Sequence, residues 1–375
     1  MSQTLYRKYR PKKLSDVLGQ LNNVEILRGA AKSGRLGQAY LFYGPRGTGK
    51  TTTARLIAKL ANCEKRRTDE NFRKLGEPCN ECAACRAIDE GSNFDVVEID
   101  AASNRGIDEI RNLKEAIRVA PVGSPYKIYI IDEAHMLTKE AMNALLKTLE
   151  EPPSYAILIL ATTEYEKLPP TIVSRTQRFI FKKATKSEIL EKLNMVVRGE
   201  GAKISDDALE LVAAAGEGSF RDSESLLEQI LSLGEKIDLE TAERLIVRTG
   251  FKKTSELTGA LIDKNLNGAL ELVSRFNEEG INFTQLTKDL IHYLRKVLTL
   301  KLDPQIEESL KSDLTAEEVK KIKTQAQNAD VRQLVDLLKS LLEAYTEIRY
   351  SPFGFVPLEV AIIENLNSVE KNKLK

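Results

Sequence analysis

The chain has 375 residues, of which 56 are Lys or Arg and 55 are Asp or Glu, so its formal net charge is +1. Apolar residues make up 42% and charged residues 30%, which is typical of a globular protein rather than a disordered one. No uncharged apolar run approaches the ~18 residues that span a bilayer, and no apolar stretch of a secretory signal follows the basic first residues. These features argue against a membrane protein, a secreted disulfide scaffold and a collagen-like chain. The length predicts two or three domains.

Positive charge is concentrated in residues 1–60, which hold twelve Lys or Arg and two acids. A surplus of ten positives favours a phosphate group nearby, in a nucleotide or a nucleic acid. A solvated basic face, whose charge is offset by acidic residues elsewhere in the chain, explains this surplus equally well. Charge alone does not separate the two interpretations.

Short apolar runs alternate with helical patterns in the first half of the chain. The five predicted strands are Ala39–Tyr43, Phe94–Ile99, Lys127–Ile131, Ala156–Leu160 and Arg178–Phe181. Runs this apolar are typical of strands buried on both faces, as in a parallel sheet between helices. We predict helices between them over about 51–62, 106–119 and 138–150. The alternation predicts an α/β domain.

Strand-like runs stop after about residue 181, and the rest of the chain is predicted to be helical. Apolar residues recur at helical spacing near 186–199, 206–215 and 220–233, which predicts a small helical domain. From about 250 to 365, Leu and Ile repeat at three- and four-residue spacing. One such set is predicted to share a helix face: Leu334, Leu337, Leu338, Leu341 and Leu342.

A glycine-rich loop follows the first predicted strand and opens a predicted helix. It reads G-P-R-G-T-G-K-T and matches the phosphate-loop pattern G-x-x-x-x-G-K-[ST]. Glycines let backbone N–H groups curl around phosphates without Cβ clashes, and the helix N-terminus favours anions. Lys50 is predicted to reach the β- and γ-phosphates, and the Thr51 hydroxyl to bind Mg²⁺. The predicted phosphate-binding residues are Gly44, Pro45, Arg46, Gly47, Thr48, Gly49, Lys50 and Thr51.

The third predicted strand ends in the acidic pair Asp132 and Glu133. An apolar strand with this ending indicates a Walker B element. Asp132 is predicted to hold Mg²⁺ directly or through water. Glu133 is predicted to orient and deprotonate the attacking water, which favours hydrolysis over binding alone. His135 is interpreted as a structural or supporting residue, and His292 as a packing residue.

Thr163, Arg175 and Arg221 are further candidates. A polar side chain at the end of a strand, such as Thr163, can contact the γ-phosphate or the attacking water, although Thr there is usually a turn former. A guanidinium can stabilise the charge that a transferring phosphoryl group gathers. From the residues alone, each arginine is more readily explained as part of a surface ion pair.

The four cysteines are unevenly placed: Cys63 stands alone, and Cys79, Cys82 and Cys85 follow as C-x₂-C-x₂-C. Four thiolates suit a closed tetrahedral Zn²⁺ site, and this pattern favours a metal over a disulfide. An iron–sulfur cluster and free thiols are the alternatives, although the fourth ligand of a cluster should closely follow Cys85. We predict a structural zinc module over about 63–85, whose fifteen residues between Cys63 and Cys79 only enlarge a surface excursion.

Together these residues resemble the AAA+ clamp-loader ATPases, and most closely the gamma/tau subunits of bacterial DNA polymerase III. The resemblance covers nearly all of the N-terminal two-thirds, and the helical remainder matches by length and position. Besides the cysteine cluster, it is carried by residues 5–20, 39–63, 97–111, 129–153, 161–175 and 216–229. It implies an AAA+ RecA-like module with the zinc insertion over 1–181, a helical lid over 182–246 and an all-α collar for oligomerisation over 247–375.

The resemblance also implies roles for single residues. Thr163 matches sensor 1, and Arg221 matches sensor 2, which reaches the nucleotide of its own subunit. Arg175 matches the arginine that acts in trans on ATP held by a neighbouring subunit, although Thr176 stands where the family has Cys. The segment expected to cover the adenine includes Tyr9, Arg10, Pro11 and Val17.

The function that the resemblance implies is ATP hydrolysis within the DNA polymerase III holoenzyme, with Mg²⁺ and a structural Zn²⁺, to open the sliding clamp and load it onto primed DNA. Expected partners are delta, delta-prime and further copies of the chain in a pentameric ring, the clamp and primer–template DNA. Arg111 and Lys147 lie where the family presents positive charge to DNA. The expected location is the cytoplasm, with no membrane partner.

Three alternatives to a clamp loader follow from the same motifs. They are another AAA+ motor such as a branch-migration helicase, an ATP-binding assembly scaffold that does not hydrolyse, and a helicase of the DEAH type. The cysteine insertion argues against another AAA+ motor. Glu133 and Arg175 argue against a scaffold that does not hydrolyse ATP. The lack of a second helicase core argues against a helicase of the DEAH type. The chain ends at Lys375, before the polymerase- and helicase-binding segments of the family's longer form, so it resembles either the short form or a longer chain cut at this point.

Overall fold

The computed structural model describes residues 4–104, 113, 115–232, 234, 236–245, 249–311, 314, 316–348 and 350–371. These residues form two compact units. One unit lies within 1–203 and 216–235, and the other within 204–215 and 236–375. Among the described residues, no helix is both long and apolar enough to cross a membrane.

A parallel five-stranded sheet is the centre of the first unit, with the strand order β2-β3-β4-β1-β5. The strands are β1 Ala39–Tyr43, β2 Val96–Asp100, β3 Lys127–Asp132, β4 Ala156–Thr162 and β5 Gln177–Ile180. The central strand, β4, is buried at every position. All five predicted strands are confirmed to within two residues at each end.

Alternate residues of each strand pack on opposite faces of the sheet, as strand geometry requires. Tyr40 and Phe42 join Ile130 in one apolar cluster, whereas Leu41 and Ile131 belong to the cluster on the other face. Because both faces are apolar, both must be covered by helices. The register sets the carboxyl ends of β1, β4 and β3 side by side, so the loops that follow these strands meet at one edge of the sheet.

Besides the sheet, the described residues of the first unit form helices. They are Leu5–Lys8, Leu21–Ser33, Lys50–Asn62, Glu64–Thr68, Glu70–Arg73, Ala83–Glu90, Lys139–Glu150, Pro170–Val173, Lys186–Glu200 and Phe220–Leu231, with 3-10 turns at Leu14–Asp16, Ala134–Met136 and Tyr165–Lys167. The predicted helices near 51–62, 138–150, 186–199 and 220–233 are confirmed. The helix predicted over 106–119 falls largely outside the described residues.

The second unit is helical. Its helices are Asp206–Ala215, Leu239–Leu245, Thr249–Ile262, Leu266–Glu278, Phe283–Leu302, Glu307–Lys311, Ala316–Asn328, Val331–Glu347 and Val356–Lys371, with a 3-10 turn at Pro304–Ile306. Two short strands, Lys203–Ile204 and Lys236–Ile237, lie near the boundaries of the units. Leu334, Leu337 and Leu341 belong to the core, but Leu342 is 53% exposed. The prediction that Leu342 shares that face is wrong, because a residue eight positions after Leu334 is rotated about 80° from it around the helix axis.

Candidate functional site

The glycine-rich loop leaves β1 and leads directly into the helix Lys50–Asn62. Gly44 and Gly47 have φ angles of 141° and 73°, a backbone region that favours glycine. Neither position has room for a side chain. A Cβ on Gly44 would lie 2.0 Å from the backbone oxygen of Phe181, and one on Gly47 would lie 1.9 Å from Ser219 Oγ. The loop therefore needs glycine at both positions in order to take this path.

Lys50 begins the helix and turns back into the loop. Its side chain is buried, and Nζ donates to the backbone oxygens of Gly44 (2.7 Å) and Pro45 (2.8 Å). Burial lowers the pKa of Lys50, while the nearby carboxylates of Glu133 and Asp132 oppose this effect. An ammonium group held by neutral carbonyls gains from a charged acceptor, because hydrogen bonds between ionised groups are about twice as strong. Lys50 is thus placed to exchange loop carbonyls for phosphate oxygens.

The start of the helix Lys50–Asn62 and the ends of β3 and β4 bring two hydroxyl groups and two carboxylates together. Thr51 Oγ1 donates to Asp132 Oδ2 at 2.7 Å. Glu133, the next residue, has a φ of 48°, and its Oε2 accepts from Thr163 Oγ1 (2.9 Å) and from the Thr163 backbone N–H (3.3 Å). A hydroxyl and a carboxylate in contact are oxygen ligands of the kind that Mg²⁺ prefers beside a nucleotide.

His135 contacts polar side chains at this edge of the sheet. Its side chain is buried, Nδ1 lies 2.9 Å from Thr162 Oγ1 and 3.4 Å from Glu133 Oε2, and Nε2 lies 3.2 Å from Glu164 Oε1. These contacts fit the interpretation of His135 as a supporting residue. Its position between two carboxylates and a hydroxyl helps to hold the Glu133 side chain where Thr163 also binds it.

A cavity of about 170 Å³ opens beside these groups. The residues that line it are Tyr6, Arg10, Pro11, Asp16, Val17, Leu18, Arg46, Gly47, Thr48, Gly49, Lys50, Thr51, Thr52, Asp132, Glu133, Lys192, Phe220, Arg221 and Glu224. Most of the predicted nucleotide-site residues are therefore brought together. Gly44 and Pro45 contact Lys50 from outside the lining, and Thr163 reaches the cavity through Glu133.

The lining also includes residues that sequence reasoning missed, among them Tyr6, Lys192 and Glu224. The Arg221 guanidinium lies 4.8 Å from the centre of the Tyr6 ring. Lys192 Nζ lies 3.6 Å from Glu224 Oε1 and donates to the backbone oxygen of Tyr9. Burial raises the pKa of Glu224 to about 7, although Lys192 opposes this rise. Tyr9 itself does not line the cavity, and only its backbone carbonyl takes part, as the acceptor of the hydrogen bond from Lys192.

Arg175 lies apart from this cavity. Its Nε donates to Glu150 Oε1 at 2.8 Å, and its NH1 donates to the backbone oxygen of Thr171 at 2.9 Å. The side chain is 33% exposed. Lys147 is exposed on the helix that carries Glu150. Arg111 lies outside the described residues.

The four cysteine side chains converge. Their Sγ atoms all lie within 4.8 Å of one another, and those of Cys79 and Cys85 are 3.9 Å apart. Zn–S bonds of about 2.3 Å in a tetrahedron place sulfurs about 3.8 Å apart. The hydrogen bond from Cys85 lowers the pKa of Cys63 to about 4, and the same pairing raises the pKa of Cys85. One thiolate thus opposes the next, and a divalent cation would relieve that repulsion. The cluster fits a zinc ion.

The segment between Cys63 and Cys79 is not the simple surface excursion that was predicted. Arg66 is buried and donates to the backbone oxygens of Leu60 (3.0 Å) and Ala31 (2.8 Å). Glu77 is also buried, with 7% of its surface exposed. Charged residues are rarely buried unless they are paired, and these two bind backbone groups of the first unit. Ten of the fifteen residues are exposed, as a surface excursion requires, but the charge of the segment did not predict that Arg66 and Glu77 are buried.

A parallel sheet with a phosphate loop after one strand and an Asp-Glu pair after a neighbouring strand defines a P-loop nucleotide-binding protein. Three family models match successive parts of the chain. Residues 19–185 match "DNA polymerase III, delta subunit", residues 188–236 match "DNA polymerase III clamp loader subunit, ATPase lid domain", and residues 248–372 match "DNA polymerase III subunits gamma and tau domain III". The predicted fold class, an AAA+ module followed by a lid and an all-α domain, is confirmed.

Curated relatives identify the family. The DNA polymerase III subunit gamma of Buchnera aphidicola subsp. Acyrthosiphon pisum is 30% identical over 98% of this chain and 99% of its own length. The subunit tau of Bacillus subtilis is 40% identical over 96% of this chain and 63% of its own length, and that of Escherichia coli is 33% identical over 97% and 55%. The chain belongs to the gamma/tau subunit family of DNA polymerase III.

The chain spans about 43–65% of the length of the Bacillus and Mycoplasma relatives that it matches. Solved structures with a similar fold include the DNA clamp loader delta protein of Bacillus subtilis (16% identity, 92% of this chain and 99% of that one, TM-score 0.40). They also include RuvB, the Holliday junction branch migration motor of Thermotoga maritima (18% identity, 73% and 86%, TM-score 0.48).

Proposed function

We propose that this chain is an ATP-hydrolysing subunit of the bacterial replicative clamp loader. The observation that carries the proposal is the contact between Thr51 and Asp132 (2.7 Å), beside Glu133, in a chain of the gamma/tau family. Mg²⁺ bound with ATP at this pair would neutralise phosphate charge and orient the γ-phosphate. Lys50 leaves its loop carbonyls for the β- and γ-phosphates.

Hydrolysis needs a base, a means of holding that base and a positive charge at the leaving phosphoryl group. Glu133 accepts the proton of the water that attacks the γ-phosphorus, and ADP leaves. Thr163, which donates to Glu133 at 2.9 Å, keeps the carboxylate in position. Arg221, in the cavity lining, stabilises charge on the γ-phosphate of its own subunit.

Arg175 is proposed to act on ATP held by a neighbouring subunit. This role is supported by its separation from the cavity of its own chain and by its 33% exposure. The proposed neighbours are delta, delta-prime and further copies of this chain in a pentameric ring. Because each site is completed by another subunit, ATP can favour the assembled form that grips the clamp and primer–template DNA more than ADP does. Lys147, exposed on its helix, and Arg111 are candidates for DNA contact.

Cys63, Cys79, Cys82 and Cys85 are proposed to hold a structural Zn²⁺. All four positions of a tetrahedron would be filled by protein, so the ion supplies folding energy rather than chemistry. The proposed domains are an ATPase module over 1–181, a lid over 182–246 and a collar over 247–375. A role in replication implies a cytoplasmic location within the DNA polymerase III holoenzyme.

Clamp loading on primed DNA tests this function. The chain is assembled with its partner subunits, and labelled clamp retained on circular primed DNA is measured with and without ATP. ATP-dependent retention that Lys50→Ala abolishes is the expected result. Full loading without ATP would contradict the proposal and favour an assembly scaffold that does not hydrolyse ATP. ATP-dependent movement of a four-way junction without clamp loading would favour a branch-migration motor.

A further inference from the structure

The buried carboxylate of Glu77 links the cysteine cluster to the nucleotide cavity. Glu77 Oε2 accepts from the backbone N–H of Leu14 at 2.7 Å, and Oε1 accepts from the backbone N–H of Ser15 at 3.1 Å. Arg28 Nε lies 3.4 Å from Oε1. Glu77 is separated from Cys79 by one residue, so a side chain of the cysteine segment holds two backbone groups more than sixty residues away.

The backbone groups that Glu77 holds begin the 3-10 turn Leu14–Asp16. Leu14 is fully buried, so its N–H group would have no water to bind if Glu77 were lost. Asp16, which ends this short turn, and Val17 and Leu18, which follow it, line the cavity. The position of the turn therefore fixes one wall of the nucleotide cavity.

Glu77 is itself fixed from two directions. The Arg28 guanidinium donates to the backbone oxygen of Leu75 at 3.1 Å, on the chain just before Glu77. On its other side, the backbone N–H of Cys79 donates to Cys63 Sγ at 3.4 Å. Bringing the thiolates of Cys63 and Cys79 to one cation would hold this end of the segment in place.

We propose that Glu77 is a positioning residue through which the metal at the cysteine cluster controls nucleotide affinity. Metal binding orders the segment, Glu77 holds the turn, and the turn keeps Val17 and Leu18 at the wall of the cavity. Without this link, only a fraction of molecules hold the turn in place, and the apparent dissociation constant rises by the inverse of that fraction. The inference rests on the proposed nucleotide binding and on the fit of the cluster to a metal.

The direct test compares Glu77→Gln with Glu70→Gln, using a fluorescent ATP analogue and the full chain loaded with Zn²⁺. A glutamine offers one acceptor oxygen where the carboxylate offers two, and a charged acceptor is lost. Glu70 lies on the same segment with an exposed side chain, so it is the matched control. We expect about a tenfold weaker analogue binding for Glu77→Gln, unchanged binding for Glu70→Gln and one zinc per chain in both.

A thermodynamic cycle with the metal separates this coupling from general loss of stability. Removing Zn²⁺ with a chelator should weaken analogue binding about tenfold in the unaltered chain but much less in Glu77→Gln, because the link is already broken. Equal losses in the two proteins, or normal binding by Glu77→Gln, would overturn the proposal. Failure of the unaltered, zinc-loaded chain to bind the analogue would instead contradict the proposed function.

Hydrogen exchange gives a readout that needs no substitution. The backbone N–H groups of Leu14 and Ser15 should exchange faster after Zn²⁺ is removed, while those of the central strand β4 keep their protection. Unchanged exchange at Leu14 and Ser15 in the metal-free chain would overturn the proposal, even if Glu77→Gln proved too unstable to purify.

Discussion

Replacing Thr163 by Val should slow ATP hydrolysis while ATP binding stays intact. The hydroxyl of Thr163 donates to Glu133 Oε2 at 2.9 Å, and the backbone N–H of the same residue donates to that oxygen at 3.3 Å. A hydrogen bond to a charged group contributes about 1.5–3 kcal/mol, which corresponds to about 10- to 150-fold in rate. Because the backbone N–H remains, we expect the lower end, about a tenfold fall in kcat.

The assay is steady-state hydrolysis by the assembled clamp loader at saturating ATP, with clamp and primed DNA, beside titration of a fluorescent ATP analogue. Thr346→Val, at an exposed threonine of the helical unit, controls for loss of a hydroxyl group. Glu133→Gln should cost about 10²- to 10⁴-fold through loss of the base, and adding Thr163→Val to it should change little. Unaltered kcat in Thr163→Val, or fully additive losses, would refute the argument that Thr163 acts through Glu133.

Three further predictions concern other parts of the chain. Arg175→Ala should bind ATP normally but lose stimulation of hydrolysis by clamp and DNA, and normal stimulated turnover would contradict its action in trans. Cys85→Ser should lower the zinc content measured by atomic absorption below one ion per chain, whereas equal zinc content would argue against a four-cysteine site. Burial raises the pKa of Glu224 from 4.5 to about 7, so the folded chain binds this proton more tightly. The tighter proton binding contributes up to about 3 kcal/mol to the free energy of unfolding. This contribution is fully present below pH 4.5 and is lost as pH rises through 7. The thermal midpoint should therefore fall less between pH 5 and 8 in Glu224→Gln, and parallel pH profiles would contradict this.

The sequence could predict those features that arise from local pattern. Five apolar runs predicted the parallel sheet, because a strand buried on both faces needs apolar residues at nearly every position. The loop at 44–51 and the pair Asp132 and Glu133 follow strands whose carboxyl ends meet at one edge, so their proximity could be expected from topology. The convergence of the four Sγ atoms also agrees with the predicted cysteine module.

Features that depend on contacts between distant segments could not be predicted in this way. Lys192 and Glu224 belong to two helices in which charged residues are ordinarily exposed, yet both are buried beside the cavity. Glu77 and Arg66 stand in a charged segment that is typical of a solvated loop, and only the fold shows which backbone groups they bind. Leu342 illustrates a smaller error, since three- and four-residue spacing drifts off a helix face over two turns.

The most direct test of the central claim is the rate of ATP hydrolysis for the chain alone and then with its clamp-loader partners, the sliding clamp and primed DNA. Because Arg175 lies outside the cavity of its own chain, the isolated chain should hydrolyse ATP slowly. The rate should rise strongly only when all components are present. Fast hydrolysis by the isolated chain, indifferent to clamp and primed DNA, would contradict the clamp-loader assignment while leaving the nucleotide site intact.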